Sequence, residues 1–155
     1  MIEKARTDDG SIGEFIVFRI GDHAFCIDIM AVREIRGWSP ATPLPRAPDY
    51  VCGVINLRGS VLPIVDLAER LGFQSINPTA RHVIIVVKIG ARTIGLLVDA
   101  VSDIITQPLK SVQATPDLAD DAVRTFLRGV LVTDGAIIGW MKLDHILAAS
   151  MDQAA

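Results

Sequence analysis

The chain has 155 residues, 50% hydrophobic and 21% charged, with a formal net charge of -3 at pH 7, enough apolar material for one core of ordinary size or two small halves packed together. Its weak acidity excludes a broad basic face for nucleic acid, and no apolar run reaches the roughly 20 residues that span a bilayer. The N-terminal stretch lacks a signal-peptide core, and Cys26 and Cys52, each in an apolar strand-like run, are too few for a disulfide scaffold, so the expectation is a cytoplasmic protein with buried free thiols.

Residues 1–13 are polar and aperiodic and read as a loose arm, residues 151–155 as a tail, with the domain over 14–150. Residues 15–20 and 24–29 read as strands joined at Gly21-Asp22. Residues 30–36 place Val32 and Ile35 among Arg33, Glu34 and Arg36, the pattern of a half-exposed edge. Pro40, Pro43, Pro45 and Pro48 then force an extended connection. Two further apolar runs, 51–57 and 61–65, are separated by Arg58-Gly59-Ser60, where glycine supplies the positive φ of a reversing chain, so a β-hairpin with an arginine at its tip is predicted. Asp66 is placed to cap a short helix over 67–71, with Glu69 three residues on and Gly72 to end it. Residues 83–87 are apolar on both faces and predict a strand covered on both sides, with 93–98 returning beside it. From 106 to 125 the pattern weakens into a solvated loop carrying Asp117, Asp120 and Asp121, with at most one helical turn. A last hairpin turns at Asp134-Gly135, and Asp144 is placed to cap a closing helix over 145–149.

The chain is written twice. Residues 53–67 align with 129–143 at a constant offset of 76, and 15–35 with 84–104 at a constant offset of 69. Gly53 and Gly59 recur as Gly129 and Gly135, Leu67 as Leu143 and Leu71 as Leu147, so these read as scaffold, the four glycines as structural turns. Arg58 is instead matched by Asp134, Asn56 by Val132 and Arg36 by Ile105; where the copies differ, a partner surface is expected. Two copies of strand, hairpin, strand and hairpin, with few short helices, imply an all-β protein built of two small barrels.

Catalytic patterns are missing. His23, His82 and His145 have no second ligand at metal-binding spacing, and the cysteines form no C-x-x-C. Asp28, Asp66 and Asp99 end strands without forming a dyad, Ser60 lies in a turn and not in G-x-S-x-G, and Gly129, Gly135 and Gly139 are not spaced as a dinucleotide fingerprint. No enzyme activity, metal or cofactor is expected. Arg58 reads equally well as a solvated turn residue and as an interface anchor whose planar fork suits partner contacts; Glu34 reads as a solvated edge charge or as a partner contact.

The segments Val32-Arg-Glu-Ile-Arg-Gly37, Gly53-Val-Ile-Asn-Leu-Arg-Gly59, Val61-Leu-Pro-Ile-Val-Asp-Leu67 and Leu97-Val-Asp-Ala-Val-Ser-Asp103, in this order, resemble the CheW family of chemotaxis coupling proteins. The resemblance implies two intertwined five-stranded SH3-like β-barrels related by internal duplication. It also implies a non-enzymatic adaptor, without cofactor, that joins the cytoplasmic tip of chemoreceptors to the regulatory domain of the histidine kinase CheA and is recruited to receptor arrays without entering the membrane. The family's coupling positions fall on Val32, Glu34, Asn56, Arg58 and Gly59, and further on Arg36, Gly53, Val98 and Val101. Gly139-Trp-Met-Lys142 departs from the family's usual C-terminal motif. A coupling module of a twitching-motility or other chemosensory-like pathway is a second reading within the family. A small-molecule-binding barrel is the reading from another class, and convergent polar groups in a cavity would mark it.

Overall fold

The computed structural model describes residues 11–116 and 121–147, and among them ten strands dominate. They are β1 (Ile12–Ile20), β2 (His23–Asp28), β3 (Val32–Gly37), β4 (Val51–Leu57), β5 (Ser60–Asp66), β6 (Val83–Ile89), β7 (Arg92–Val98), β8 (Ala100–Pro108), β9 (Leu127–Thr133) and β10 (Ala136–Met141). The runs are rich in Val and Ile, whose branched side chains fit a pleated surface. The helices are short: α1 (Leu67–Arg70), α2 (Asp121–Thr125) and three 3-10 turns.

The strands form two five-stranded sheets in the orders β8-β1-β2-β10-β9 and β3-β6-β7-β5-β4. Exchanging each strand of the first half for its counterpart in the second (β1 for β6, β2 for β7, and so on) turns one order into the other. Each sheet therefore takes one opening hairpin from one copy and three strands from the other. These are the two small barrels that the duplication predicted, five-stranded and intertwined as the CheW resemblance implies for its SH3-like pair, the first built on β1 and the second on β6. Intertwining places a shared core between them: Phe18, Phe25 and Ile27 of the first barrel meet Leu67, Ile85, Val87, Leu96 and Val98 of the second. Each barrel also has its own smaller core, around Phe15 and Leu131 in the first and around Ile64 and Ile84 in the second. The run 83–87 of strand β6 is apolar on both faces because Ile84 and Val86 face its own barrel while Ile85 and Val87 face the shared core. Each such buried side chain contributes about 1.5–3 kcal/mol.

The tip turns repeat as expected. Arg58 and Gly59 have φ of 51° and 87°, Asp134 and Gly135 φ of 51° and 78°, so both central residues are left-handed, as a twist-matched two-residue hairpin requires. Gly53 and Gly129 are not turn residues. Both lie inside strands, where a crossing segment comes close: a Cβ on Gly53 would stand 2.3 Å from the Thr42 carbonyl oxygen, and one on Gly129 2.5 Å from that of Gln113. These are the places where Thr42 bridges to Val54 and Gln113 to Val130.

Three boundaries differ from expectation. Strand β1 begins at Ile12, inside the stretch assigned to the arm, because Ile12 and Gly13 pair with Pro108 and Gln107 of β8; for the same reason β8 runs on to Pro108. The remainder of the arm and the tail at 151–155 lie outside the described residues, as do Asp117 and Asp120. The closing helix is a 3-10 turn over Leu143–His145, with Lys142 as its N-cap and no side-chain cap bond; Asp144 sits within it, and residues 148–149 lie outside the described part. In the first copy Asp66 occupies the position of Lys142, and there the cap forms as predicted: its Oδ1 accepts from the Glu69 N–H (3.2 Å) and its Oδ2 from the Ile76 N–H (2.8 Å). A carboxylate therefore separates a helical turn from a 3-10 turn at equivalent places. Burial, opposed by these backbone donors, raises the Asp66 carboxyl above the ordinary carboxylate range.

Candidate functional site

The tip hairpin of β4 and β5 carries Arg58 over the mouth of the second barrel. Strands β3 and β4 are the two edges of that sheet, so a contact between them closes the barrel. Arg58 makes that contact: its guanidinium hydrogen-bonds and ion-pairs with Oε1 of Glu34 on β3. The pair is solvent-facing, with the Arg58 side chain 71% and that of Glu34 30% exposed. Hydrogen bonding to Arg58 holds the Glu34 carboxyl below the ordinary range, helped by the charges of Arg58 and Arg36, and Glu34 in turn raises the Arg58 guanidinium. Asn56 supports the same tip from within, its Oδ1 accepting from the Gly59 N–H at 2.8 Å. Arg36 lies on the same face of β3 as Glu34, opposite Ile84, and its Nε is buried with no hydrogen-bond partner among the described residues.

Glu34, Arg36, Asn56, Arg58 and Gly59, dispersed in sequence, are thus gathered at one barrel mouth. Val32 and Val101 are elsewhere, half-buried on the shared core, each beginning or near the start of the edge strand of its own barrel. Val98 is wholly buried in that core, at 0% exposure, so it supports the fold and is excluded as a contact residue. Gly53 acts through the close approach of Thr42.

The other mouth has the same architecture and different chemistry. Asp103 and Asp134 occupy the positions of Glu34 and Arg58, so two acids stand where the second barrel has an ion pair. Val132 and Ile137 pair across the tip hairpin with 47% and 66% exposure, where the second barrel has Asn56 and Val61. The Glu34–Arg58 latch escaped sequence reading, although a signal for it existed: the acid at Glu34 is kept as Asp103 in the second copy while Arg58 gives way to Asp134.

Elsewhere the site chemistry is quiet. Among the described residues no three His, Cys, Asp or Glu side chains converge as a metal site requires. Burial pushes the Cys26 thiol up to about 12 and that of Cys52 to about 11, so neither forms thiolate near neutrality. No helix among the described residues is long and apolar enough to cross a membrane.

A duplicated barrel pair with a latched and an unlatched mouth matches known proteins over nearly its whole length. The chain is 57% identical over 142 residues to the chemotaxis protein CheW of Rhizobium meliloti, covering 92% of each chain, and 53% identical over 142 residues to the probable chemotaxis protein CheW of Rhizobium etli, again covering 92% of each. Among solved structures it superposes on the scaffolding protein TtCheW of Thermoanaerobacter tengcongensis with a TM-score of 0.82 at 28% identity, covering 91% of each chain. The model of the CheW-like domain spans residues 14–151, and with that extent of agreement in sequence and topology the chain belongs to the CheW-like family.

Proposed function

We propose that this protein couples the cytoplasmic tips of chemoreceptors to the regulatory domain of the histidine kinase CheA, with the Glu34–Arg58 latch as the element that orients the receptor contact. As a CheW-like protein it is a non-enzymatic adaptor of chemotaxis signalling, and its output is the geometry in which partners are held. The observation that carries the site assignment is the exposed ion pair across the barrel mouth. A planar guanidinium fixed by a carboxylate on the opposite sheet edge retains free N–H donors aimed at solvent, and it is pre-organised, which lowers the entropic cost of binding. Val32 and Val101 add half-buried apolar contact, and the Val132–Ile137 mouth offers an apolar face for end-to-end packing with a barrel of the kinase. The protein works in the cytoplasm, drawn to membrane arrays by its receptor contacts.

The test is a reconstituted assay of receptor, kinase and adaptor. Arg58→Ala, a change at an exposed tip, is expected to leave circular dichroism and the folded state intact while abolishing receptor-dependent activation of the kinase. Full activation by a folded Arg58→Ala protein rules out the latch as the coupling element.

A further inference from the structure

His82 commits its two ring nitrogens in opposite senses. The backbone N–H of Thr79 donates to Nδ1 at 3.0 Å, and because an amide N–H can only donate, Nδ1 carries no proton and the ring is in its neutral Nε2–H form. Nε2 lies 3.3 Å from Oδ1 of Asp99. The second oxygen of that carboxylate accepts from the Gly21 N–H at 2.5 Å, on the turn between β1 and β2. One imidazole thus joins the turn 79–82, which leads into β6 of the second barrel, to the opening hairpin of the first. The strut occurs once: at the offset of 69, Gly13 and Met30 stand at the positions of His82 and Asp99.

A protonated imidazole has an N–H on both nitrogens and accepts on neither. Its Nδ1–H then faces the Thr79 N–H, donor against donor, and that hydrogen bond is lost. The Thr79 hydroxyl, 3.2 Å from Nδ1, can accept from the new N–H, although it already accepts from the Arg81 N–H at 3.2 Å. The exchange leaves the Thr79 N–H to solvent, while the bond to Asp99 becomes a charge-assisted ion pair. The other titratable or charged groups around the ring are Asp22 and His23 of the β1–β2 turn, which line the same cavity of about 410 Å³, Arg19, whose guanidinium donates to the Asp22 carbonyl at 3.3 Å, and Arg81 beside it in the chain. His23 stacks on Phe73 at 4.9 Å, an arrangement that survives protonation as a cation–ring contact. Toward α1 the chain is held independently of any histidine: the Ile76 N–H donates to Asp66 Oδ2 at 2.8 Å and the Ser75 hydroxyl to Glu69. Loosening is therefore confined to residues 77–81.

We infer that His82 is a proton-operated clasp on the segment 77–81. Uncharged, it fastens the Thr79 amide and bridges to Asp99; protonated, it releases that amide and holds Asp99 more tightly, so the segment opens while the two barrels stay tied. The sign follows from linkage: the fastened state requires a bare Nδ1 and the open state accepts a proton there, so opening rises as pH falls. Imidazole is the side chain that ordinarily changes charge between about pH 5 and 8, so the clasp works in mild acid, and a single proton sets a ceiling of about tenfold per pH unit. The clasp is separate from the Glu34–Arg58 mouth and makes the conformation of the adaptor depend on the pH around it.

The test uses the full ¹⁵N-labelled chain, titrated from about pH 8 to about 5.5 across the imidazole range. Long-range ¹H–¹⁵N correlation of the imidazoles reads which His82 nitrogen carries the proton. Amide–water exchange, expressed as a protection factor so that its intrinsic pH dependence is removed, reads the Thr79 N–H. In mild alkali the Nε2–H form is expected with Thr79 protected; as His82 titrates, protection at Thr79 should fall by up to about tenfold per pH unit, while that at Gly21 and Ile76 holds. His82→Asn places an uncharged acceptor near the position of Nδ1, and its Thr79 protection should not vary with pH; His23→Gln should leave the parent's response intact. An Nδ1–H tautomer in mild alkali, a His82 ring that takes no proton over the range, Thr79 protection that stays level while His82 titrates, the parent's pH response in His82→Asn, or loss of that response in His23→Gln would each overturn the inference. None of these results bears on the Arg58 assay, so the two readings fail separately.

Discussion

Arg70 offers the sharpest test of the intertwined architecture, because it occupies a place the duplication can fill only once. Its guanidinium lies between the rings of Tyr50, at 4.4 Å, and Phe126, at 4.7 Å, and these two rings correspond at the offset of 76. Its Nε donates to the carbonyl of Ile146 (2.5 Å) and its Nη2 to that of His145 (3.3 Å). Ile146 is the counterpart of Arg70 itself, so the side chain crosses the internal pseudo-twofold axis and ties α1 to the closing 3-10 turn. Arg70→Ala removes charged donors from two carbonyls, worth about 1.5–3 kcal/mol for a well-made bond, and two cation–ring contacts of about 0.5–1 kcal/mol each in this half-exposed setting. These terms overlap, and a loss of about 3–5 kcal/mol is expected, a large part of the total stability of such a domain. At about 2–4 °C per kcal/mol for a chain of this size, the melting temperature falls by roughly 6–20 °C. Arg70→Met keeps the stem and volume and should recover part of the loss; Arg70→Lys, a point charge without the fork, should fall between. Urea unfolding of the three variants measures this. A loss below about 1 kcal/mol for Arg70→Ala refutes the assignment of Arg70 as the pin between the copies.

Gly53→Ala is expected to cost about 3 kcal/mol or more, since φ of 145° suits glycine alone and the Cβ strikes the Thr42 carbonyl; Gly59→Ala, with no atom within 4 Å of its Cβ, should cost only about 1 kcal/mol of backbone strain, and equal losses in denaturant unfolding would contradict the close-approach account. The latch carries a pH dependence of known sign: the folded-state value of Glu34 is lowered by Arg58, so its contribution is present above the unfolded value of about 4.3 and disappears as pH falls through the lowered folded value. The melting-temperature difference between the parent chain and Arg58→Ala should therefore be constant near neutrality and vanish in acid; a difference unchanged into strong acid would show that Arg58 acts by something other than this pair.

The periodic signals carried the fold far. Positive-φ turns at Gly59 and Gly135, the Asp66 cap, the two-sided burial of β6 and the duplication itself were all legible, because each rests on local backbone chemistry or on strand alternation. What escaped was long-range. Gly53 and Gly129 looked like turn residues because glycine signals conformational freedom, whereas the constraint is the distance to a segment some ten or more residues earlier in the chain. Val98 looked like a contact residue from its motif, yet the exchange of strands between the copies places the end of β7 at the centre of the shared core. Asp144 could not cap a helix because Lys142, two positions earlier, holds the cap site and its side chain offers no acceptor.

Strand exchange also explains why duplication and asymmetry coexist here. Had each copy closed its own barrel, the two would meet across an interface free to slide; because each barrel borrows three strands from the other copy, the largest hydrophobic cluster lies between them and fixes their mutual angle. Against that fixed frame, surface positions are free to diverge without cost to the core. Glu34 and Arg58 against Asp103 and Asp134, Asn56 against Val132, and His82 with Asp99 against Gly13 with Met30 are all exchanges outside it. An adaptor needs unlike faces at a constant relative orientation, and a swapped duplication supplies both: identical scaffolding sets the geometry, and the few unmatched side chains decide what each end can bind.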